Sequence, residues 1–561
     1  MWINAIVADD GNDLGQAAAS AYRPFAGLTL LMALCTSPAV SAAPGDLDPT
    51  FGVAGRATTD FSGTEDQGGA IALQADGRIV AVGSTLLADQ IGAKDFALAR
   101  FGHDGALDTT FGDGGRVVTH FPSSFFSVAT SVQIQSDGRI VVAGYSDSGL
   151  VPPGSTDQQF ALARYLADGS LDASFGNDGL VLTDFGAFYD FALALTIQPD
   201  GKIVAGGTRY EGSSYNDDAR FALARYNTDG SLDESFGDNG KVITDAASGT
   251  DIAVSIALDS AARIVVGGSF YGTPVGSSSF GFARYAADGT LDTSFGNAGI
   301  AINNFNDAGF QLAKMHAFAL QVDGKIVAAG RGTPGSGAEE FLVARYTDAG
   351  ALDTDFGDNG LVDFSIGNAD SEAYAVAIDR KGAILVGGES GAFGFATVTG
   401  LAFSIDDGAP AASLALARLL PDGSLDAAFG DAGIVTTRFD NDAGLADLAR
   451  SIQPDASGIL VGGLARSDNH AMSTFTSNAD FALARYDDGY PIFADGFDPP
   501  AVAKTARPHH TARRVHAAAA PPSVIDLPVV ACALFCGYRD LLRAAPTKPT
   551  HADSASVSPV R

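Results

Sequence analysis

Cysteine is nearly missing. The 561-residue chain has three, Cys35, Cys532 and Cys536, and none between residues 45 and 500. Disulfides and thiolate metal sites are therefore excluded from the body. Tryptophan is scarcer still, with Trp2 the only one. Positive charge is also short: 34 Lys and Arg face 66 Asp and Glu, a formal net charge of -32. Such a surface repels phosphate backbones and anionic lipid, so no nucleic-acid partner is expected. The apolar runs, "FAGLTLLMALC" and "VIDLPVVACALFC", are too short to span a bilayer. No Gly-x-Ser-x-Gly elbow, phosphate loop or zinc signature occurs. His103, His120, His316 and His470 show no metal-ligand spacing. The sequence thus assigns no catalytic residue, no metal ligand and no cofactor.

The ends are distinct from the body. Arg23, the apolar run and the small residues Ser41, Ala42 and Ala43 read as a signal peptide over 1–43. An exported protein is expected, whether periplasmic, secreted or on the cell surface. The true start falls downstream of Met1 on this reading, because the first 22 residues are unlike a leader. Residues 501–561 hold eight Lys and Arg against three Asp, with many Ala and Pro, which reads as a disordered tail from 490 onward.

What is plentiful is glycine, 68 residues, in a repeat. Phe-Gly pairs begin at Phe51, Phe111, Phe175, Phe236, Phe295, Phe356 and Phe429, in steps of 60, 64, 61, 59, 61 and 73 residues. Each unit carries Leu-Asp-x-x-Phe-Gly, a short strand such as "KVITD", then "LTIQ", an Asp-Gly turn, "KIVAGG" and "FALARY". Short apolar segments between Gly, Asp and Asn are strand-and-turn composition. Asp-Gly marks a tight hairpin, because glycine takes positive φ cheaply. The fourth unit has Ser260-Ala261 there, so its hairpin is expected to be the weakest. Four strands per unit, seven times, predict an all-β chain. The architecture is a seven-bladed β-propeller of four-stranded antiparallel blades over 44–489. A solenoid fits poorly, since its coils use about 20–30 residues.

"LDxSFGxxG", "DGKIVxxG" and "FALARYxxDG" resemble the delta-60 repeat family of bacterial proteins across all seven units. The resemblance implies an exported propeller and brings no activity and no catalytic residues. The single tryptophan separates the chain from sialidase-like Asp-boxes and from the docking repeats of quinone dehydrogenases.

Arg100, Arg164, Arg225, Arg284, Arg345 and Arg418 each have an aspartate eight residues on: Asp108, Asp172, Asp233, Asp292, Asp353 and Asp426. Asp48 and Arg485 are left over, and in a closed ring they would meet. Seven structural ion pairs are predicted, with Arg485–Asp48 closing the circle. The seven Phe-Gly phenylalanines are expected between neighbouring blades. Acids in turns such as "DESFGDNG" more often bond nearby amides than hold calcium, although the net charge keeps calcium open.

One end of such a propeller carries near-identical turns. The other carries unequal loops, such as "YEGSSYNDDAR" (210–220) and "GAFGFATVTGLAFSIDDGAPAA" (391–412). Loops carry function, so a binding site is expected there, with Tyr210, Tyr215, Phe393, Phe395 and Phe403 as its aromatics. The function predicted is a binding or surface-interaction scaffold, acting as a monomer on an unknown protein or glycan ligand. A glycan hydrolase or lyase and a calcium-stabilised structural protein are the alternatives.

Overall fold

The structure is a computed structural model. It describes residues 43–490 apart from 62–65, 87–92, 123, 148–156, 213–217, 247–248, 272–276, 336, 368–369, 392–411, 440–446 and 467–478. The expected leader and tail lie outside the described residues. So do Tyr215, Phe393, Phe395 and Phe403. What is described is all-β, with one 3-10 turn at Asn306–Ala308. No helix among the described residues is long and apolar enough to cross a membrane.

The first sheet pairs Asp66–Leu73, Ile79–Leu86, Lys94–Phe101 and Arg116–Thr119, all antiparallel. The short strand was expected to open the four strands of its own unit. Instead Arg116–Thr119 bonds to the last strand of the unit before it, with Phe96 opposite Thr119. The displacement recurs along the chain and leaves Arg56–Thr59 without a preceding unit. That strand pairs with Ala479–Tyr486, placing Arg56 opposite Ala484. The chain's beginning is thereby stitched into its last sheet.

Five sheets result, three of four strands and two of eight. Each eight-stranded path is bridged by one parallel pair, Tyr189 with Gln158 or Ser278 with Leu312. The strands at one edge of the four-strand pattern are Asp66–Leu73, Ser127–Ile134, Tyr189–Ile197, Thr250–Leu258, Phe310–Leu320, Ser371–Ile378 and Leu448–Asp455. Each contacts the next, and the first contacts the last. These inner strands therefore form a circle of neighbours, as in propeller-like repeats.

The repeat motif explains itself locally. The glycine of each Phe-Gly takes a left-handed conformation. At Gly52 (φ 52) a Cβ would stand 2.1 Å from the Arg56 carbonyl oxygen. The fourth hairpin forms like the others despite lacking Asp-Gly. Ala262 adopts φ 58, and Asp259 accepts the backbone N–H groups of Ala261 at 2.9 Å and Arg263 at 3.0 Å. The aspartate turn supplies what the glycine would have.

Candidate functional site

The two ends of the repeats are built differently. At the turn end, each of six arginines donates Nε–H to its aspartate's Oδ2: Arg100–Asp108 and Arg164–Asp172 at 2.8 Å, Arg225–Asp233 at 2.7 Å. Arg284–Asp292 and Arg418–Asp426 stand at 2.8 Å, Arg345–Asp353 at 2.7 Å. Every guanidinium also lies over its Phe-Gly ring, for example Arg225 4.5 Å from the Phe236 centroid. All seven phenylalanines are sealed from solvent. The Nη1 of each arginine then reaches a carbonyl in the next unit's turn, as Arg284 does to Asp348 O at 2.7 Å. One residue thus ties its own strand, its own aspartate, a ring and the neighbouring repeat.

A second cation was not foreseen. Asp108 also meets Arg78, Asp172 meets Arg139, Asp233 meets Lys202, Asp292 meets Arg263 and Asp353 meets Lys325, at 2.8–3.1 Å. The signal was present as the basic residue directly after the second-strand turn, in "DGRI" and "DGKI". Burial raises the Asp233 carboxyl, but hydrogen bonds from Lys202 and Ser235 and the Arg225 charge hold it far below the ordinary range.

The closing pair departs from this pattern. Asp48 N–H donates to Arg485 O at 2.8 Å, so the backbones meet. The carboxylate, however, accepts from Thr50, and Arg485 turns its Nη2 to Asp455 at 3.3 Å. The expected Arg485–Asp48 ion pair is not formed among the described residues. The seventh turn, "DASG", has no basic residue to draw Asp48 in, and its own Asp455 competes for the guanidinium. Arg485 still reaches His103 O in the first unit, at 2.6 Å, and covers Phe51 at 4.7 Å. The turn acids behave as turn acids: Asp168 accepts from Ser170 N–H and Oγ–H at 3.0 and 2.6 Å. A recess of about 90 Å³ between Arg263, Arg284, Asp323 and Asp348 is too small for a ligand, since ligand pockets run about 300–1,000 Å³.

At the other end the repetition breaks. Tyr210 was expected in a binding loop, but it ends the strand Ile203–Tyr210 and is fully buried. Its ring packs edge-on to Phe191 at 6.0 Å. It is core, because the loop begins one residue later than the sequence suggested.

The unrepeated chemistry sits on the inner strands. Each has a register shift at an equivalent residue, Gly69, Thr130, Leu193, Val254, His316, Tyr374 and Arg450, and the fifth strand has a second shift between Phe310 and Leu312. These bulge residues occupy equivalent positions in successive units. Bulges re-aim a side chain and are common beside functional sites. Flanking residues keep a frame of small and aliphatic types, as in Ala192-x-Ala194-Leu195 or Ala449-x-Ser451-Ile452, except around His316, where Met315 and Phe318 depart from it. The bulge residue varies most, from glycine to arginine. Aligning the seven inner strands would have exposed this, and reading the loops did not.

The bulge circle holds Leu193 and Val254 in successive units and His316, Tyr374 and Arg450 in the next three. His316, fully buried, donates to Glu372 and packs 5.0 Å from the Tyr374 ring. The Tyr374 hydroxyl lies 3.0 Å from Glu372 Oε2 and 2.8 Å from Glu389 Oε1. It has one proton for two acceptors, so the second contact needs a proton on a carboxylate. Glu372 and Glu389 stand directly opposite on paired strands, a repulsive arrangement unless charge is supplied. The preceding unit supplies it. Burial raises the Glu372 carboxyl, but His316, Arg331 and Lys314 hold it well below the usual range. Glu339, bonded to Arg331, is raised by burial. Farther round, the Asp60, Asp66 and Asp480 carboxylates lie within 4.8 Å of one another. Asp66 already accepts the Phe61 N–H at 2.7 Å, which serves local structure.

A family model described as a β-propeller domain of unknown function, DUF5122, matches residues 74–111, 135–175, 198–236, 263–295, 321–356 and 398–429. The chain therefore carries β-propeller repeats over those residues. The propeller is similar to a catalytically inactive variant of virginiamycin B lyase from Staphylococcus aureus, solved with quinupristin. That match has 11% identity, covers 76% of this chain and 98% of that one, and has a TM-score of 0.36. The polysaccharide lyase Uly1 gives 10%, 75%, 90% and 0.42, and Drosophila Semaphorin 2a gives 8%, 80%, 77% and 0.43. No curated protein matches the sequence.

Proposed function

We propose that this is an exported, monomeric, seven-bladed propeller of the delta-60 type over 44–489. Its turn end is scaffold, and its irregular end binds a protein or glycan ligand. The circle of seven inner strands and the stitched termini support the blade number. The observation that carries the binding reading is the bulge circle: the frames repeat around it while the central residue changes to His316, Tyr374 and Arg450 in consecutive units. A scaffold position repeats, and a recognition position need not. A thermal-shift screen of the full-length protein against glycans, peptides and divalent ions tests it, because ligands of the native state raise its melting temperature. Failure of every ligand class to shift it, or shifts unaltered by Tyr374→Phe and Arg450→Gln, would remove this reading.

A glycan-cleaving enzyme is the second reading. It draws on Glu372 and Glu389 sharing one tyrosine hydroxyl, since paired carboxyls in unlike environments can divide acid and base roles. Product release from a glycan panel, abolished in Glu389→Gln, is its test.

A further inference from the structure

We infer that Arg450 is the seat of a ligand carboxylate, such as that of a uronic acid. This rests on the irregular end being the binding end.

Arg450 is partly exposed, yet its Nε and Nη1 are both buried with no hydrogen-bond partner. It is the one arginine with two such nitrogens among the described residues. A buried guanidinium donor without an acceptor is costly, and proteins rarely keep one for structure. The six clamp arginines, by contrast, each receive a carboxylate, a carbonyl and a ring from the fold. For these two nitrogens of Arg450 the described residues supply no acceptor. The missing partner is an acceptor, and its chemistry is that of an oxyanion.

The setting narrows the ligand. Arg450 lies on the strand Leu448–Asp455, at the edge of its sheet, with its backbone displaced by the bulge. The unit before it places Tyr374 at the same position. The unit after it places Gly69, which adds no side chain. Tyr374, Leu448, Leu464 and Ala479 form a small buried apolar cluster that ties the two units together. A single guanidinium suits a ligand with one planar anionic group. The unmet Nε and Nη1 lie on different edges of the planar fork, so either edge can receive a carboxylate. One cation in a protein of net charge -32 disfavours multiply charged anions.

The test is a thermal-shift titration of the full-length protein with D-glucuronate, D-glucose and inorganic phosphate, in wild type, Arg450→Gln and Arg450→Lys. Glucuronate should raise the wild-type melting temperature and glucose should not. Arg450→Gln should weaken glucuronate by at least about tenfold, with Arg450→Lys between, because lysine keeps the charge and loses the fork. If Arg450→Gln fails to fold, Arg450→Lys against wild type decides alone. An equal shift from phosphate would show a response to charge only and overturn the carboxylate assignment. Glucuronate shifts unchanged in the variants, or no shift at all, would overturn it too. Shifts from neutral ligands alone, sensitive to Tyr374→Phe, would sink this inference while leaving the binding end in place.

Discussion

The sixth and seventh turns of the repeat make an instructive pair. Asp426 keeps its arginine at 2.8 Å, whereas Asp48 faces an Arg485 that has turned to Asp455. Among the described residues neither aspartate meets a second cation: the residue directly after the sixth turn is Ala383, and Arg380 within that turn reaches Asp488 instead. Charge at the turn end is therefore arranged in triplets where a basic residue directly follows the turn, and relaxes to a single pair or to backbone contact where it does not. The contrast between the two ends of the molecule is larger. The turn end gives six guanidinium groups the same set of partners, and on the inner strands Arg450 has two buried nitrogens without a hydrogen-bond partner among the described residues. Repetition marks what holds the fold, and on the proposed reading its interruption marks what meets a ligand.

The largest effect expected is from Phe236→Ala. Its ring is sealed under Arg225, and its loss should cost about 3–5 kcal/mol, read as urea-induced unfolding. Asp233→Ala comes next. It strands Arg225, and Lys202 beside it, and should cost about 2–4 kcal/mol, somewhat less than a fully enclosed pair because Lys202 is partly hydrated. Asp48→Ala should cost under about 1 kcal/mol, since only Thr50 loses its acceptor. Equal losses at Asp233 and Asp48 would erase the distinction between clamped and relaxed turns.

A smaller effect is expected from Arg450→Leu: unchanged stability or a gain of up to about 1 kcal/mol, since the unmet donors vanish. A loss like that of Asp233→Ala would make Arg450 structural. The pH response separates the ends as well. Burial raises Asp190 to about 7, with Asp184 and Asp157 adding to it and Arg209 opposing. Its folded pKa lies above the unfolded one, so the folded state binds the extra proton, and stability falls as pH rises from about 4 to 7. Asp292 runs the other way. Ser294, then Arg284, hold it at about 2 despite burial, so its contribution is lost as pH falls from about 4 towards 2. Burial raises Asp66 to about 7 as well, so melting curves of Asp190→Asn should show a shallower first slope and keep the second.

Much of this was legible in the sequence because it is written seven times. The six ion pairs, the phenylalanines and the hairpins all follow from aligned copies. The short strand's true partner was not legible, since four residues carry no sign of which sheet edge they complete. The closing pair was misjudged because Asp48 was compared with its equivalents and not with Asp455, one turn away in space. Tyr210 was misplaced by one residue of strand. The bulge circle is legible only when the seven inner strands are aligned, because one variable residue inside a strand changes neither its length nor its apolar pattern.

The most direct measurement is one experiment on two variants, ligand-dependent melting of Asp233→Asn and Arg450→Gln beside wild type. The account predicts that Asp233→Asn melts lower yet keeps the full ligand-induced shift, and that Arg450→Gln melts like wild type and loses it. The opposite pattern, with binding lost at Asp233 and stability lost at Arg450, would contradict it.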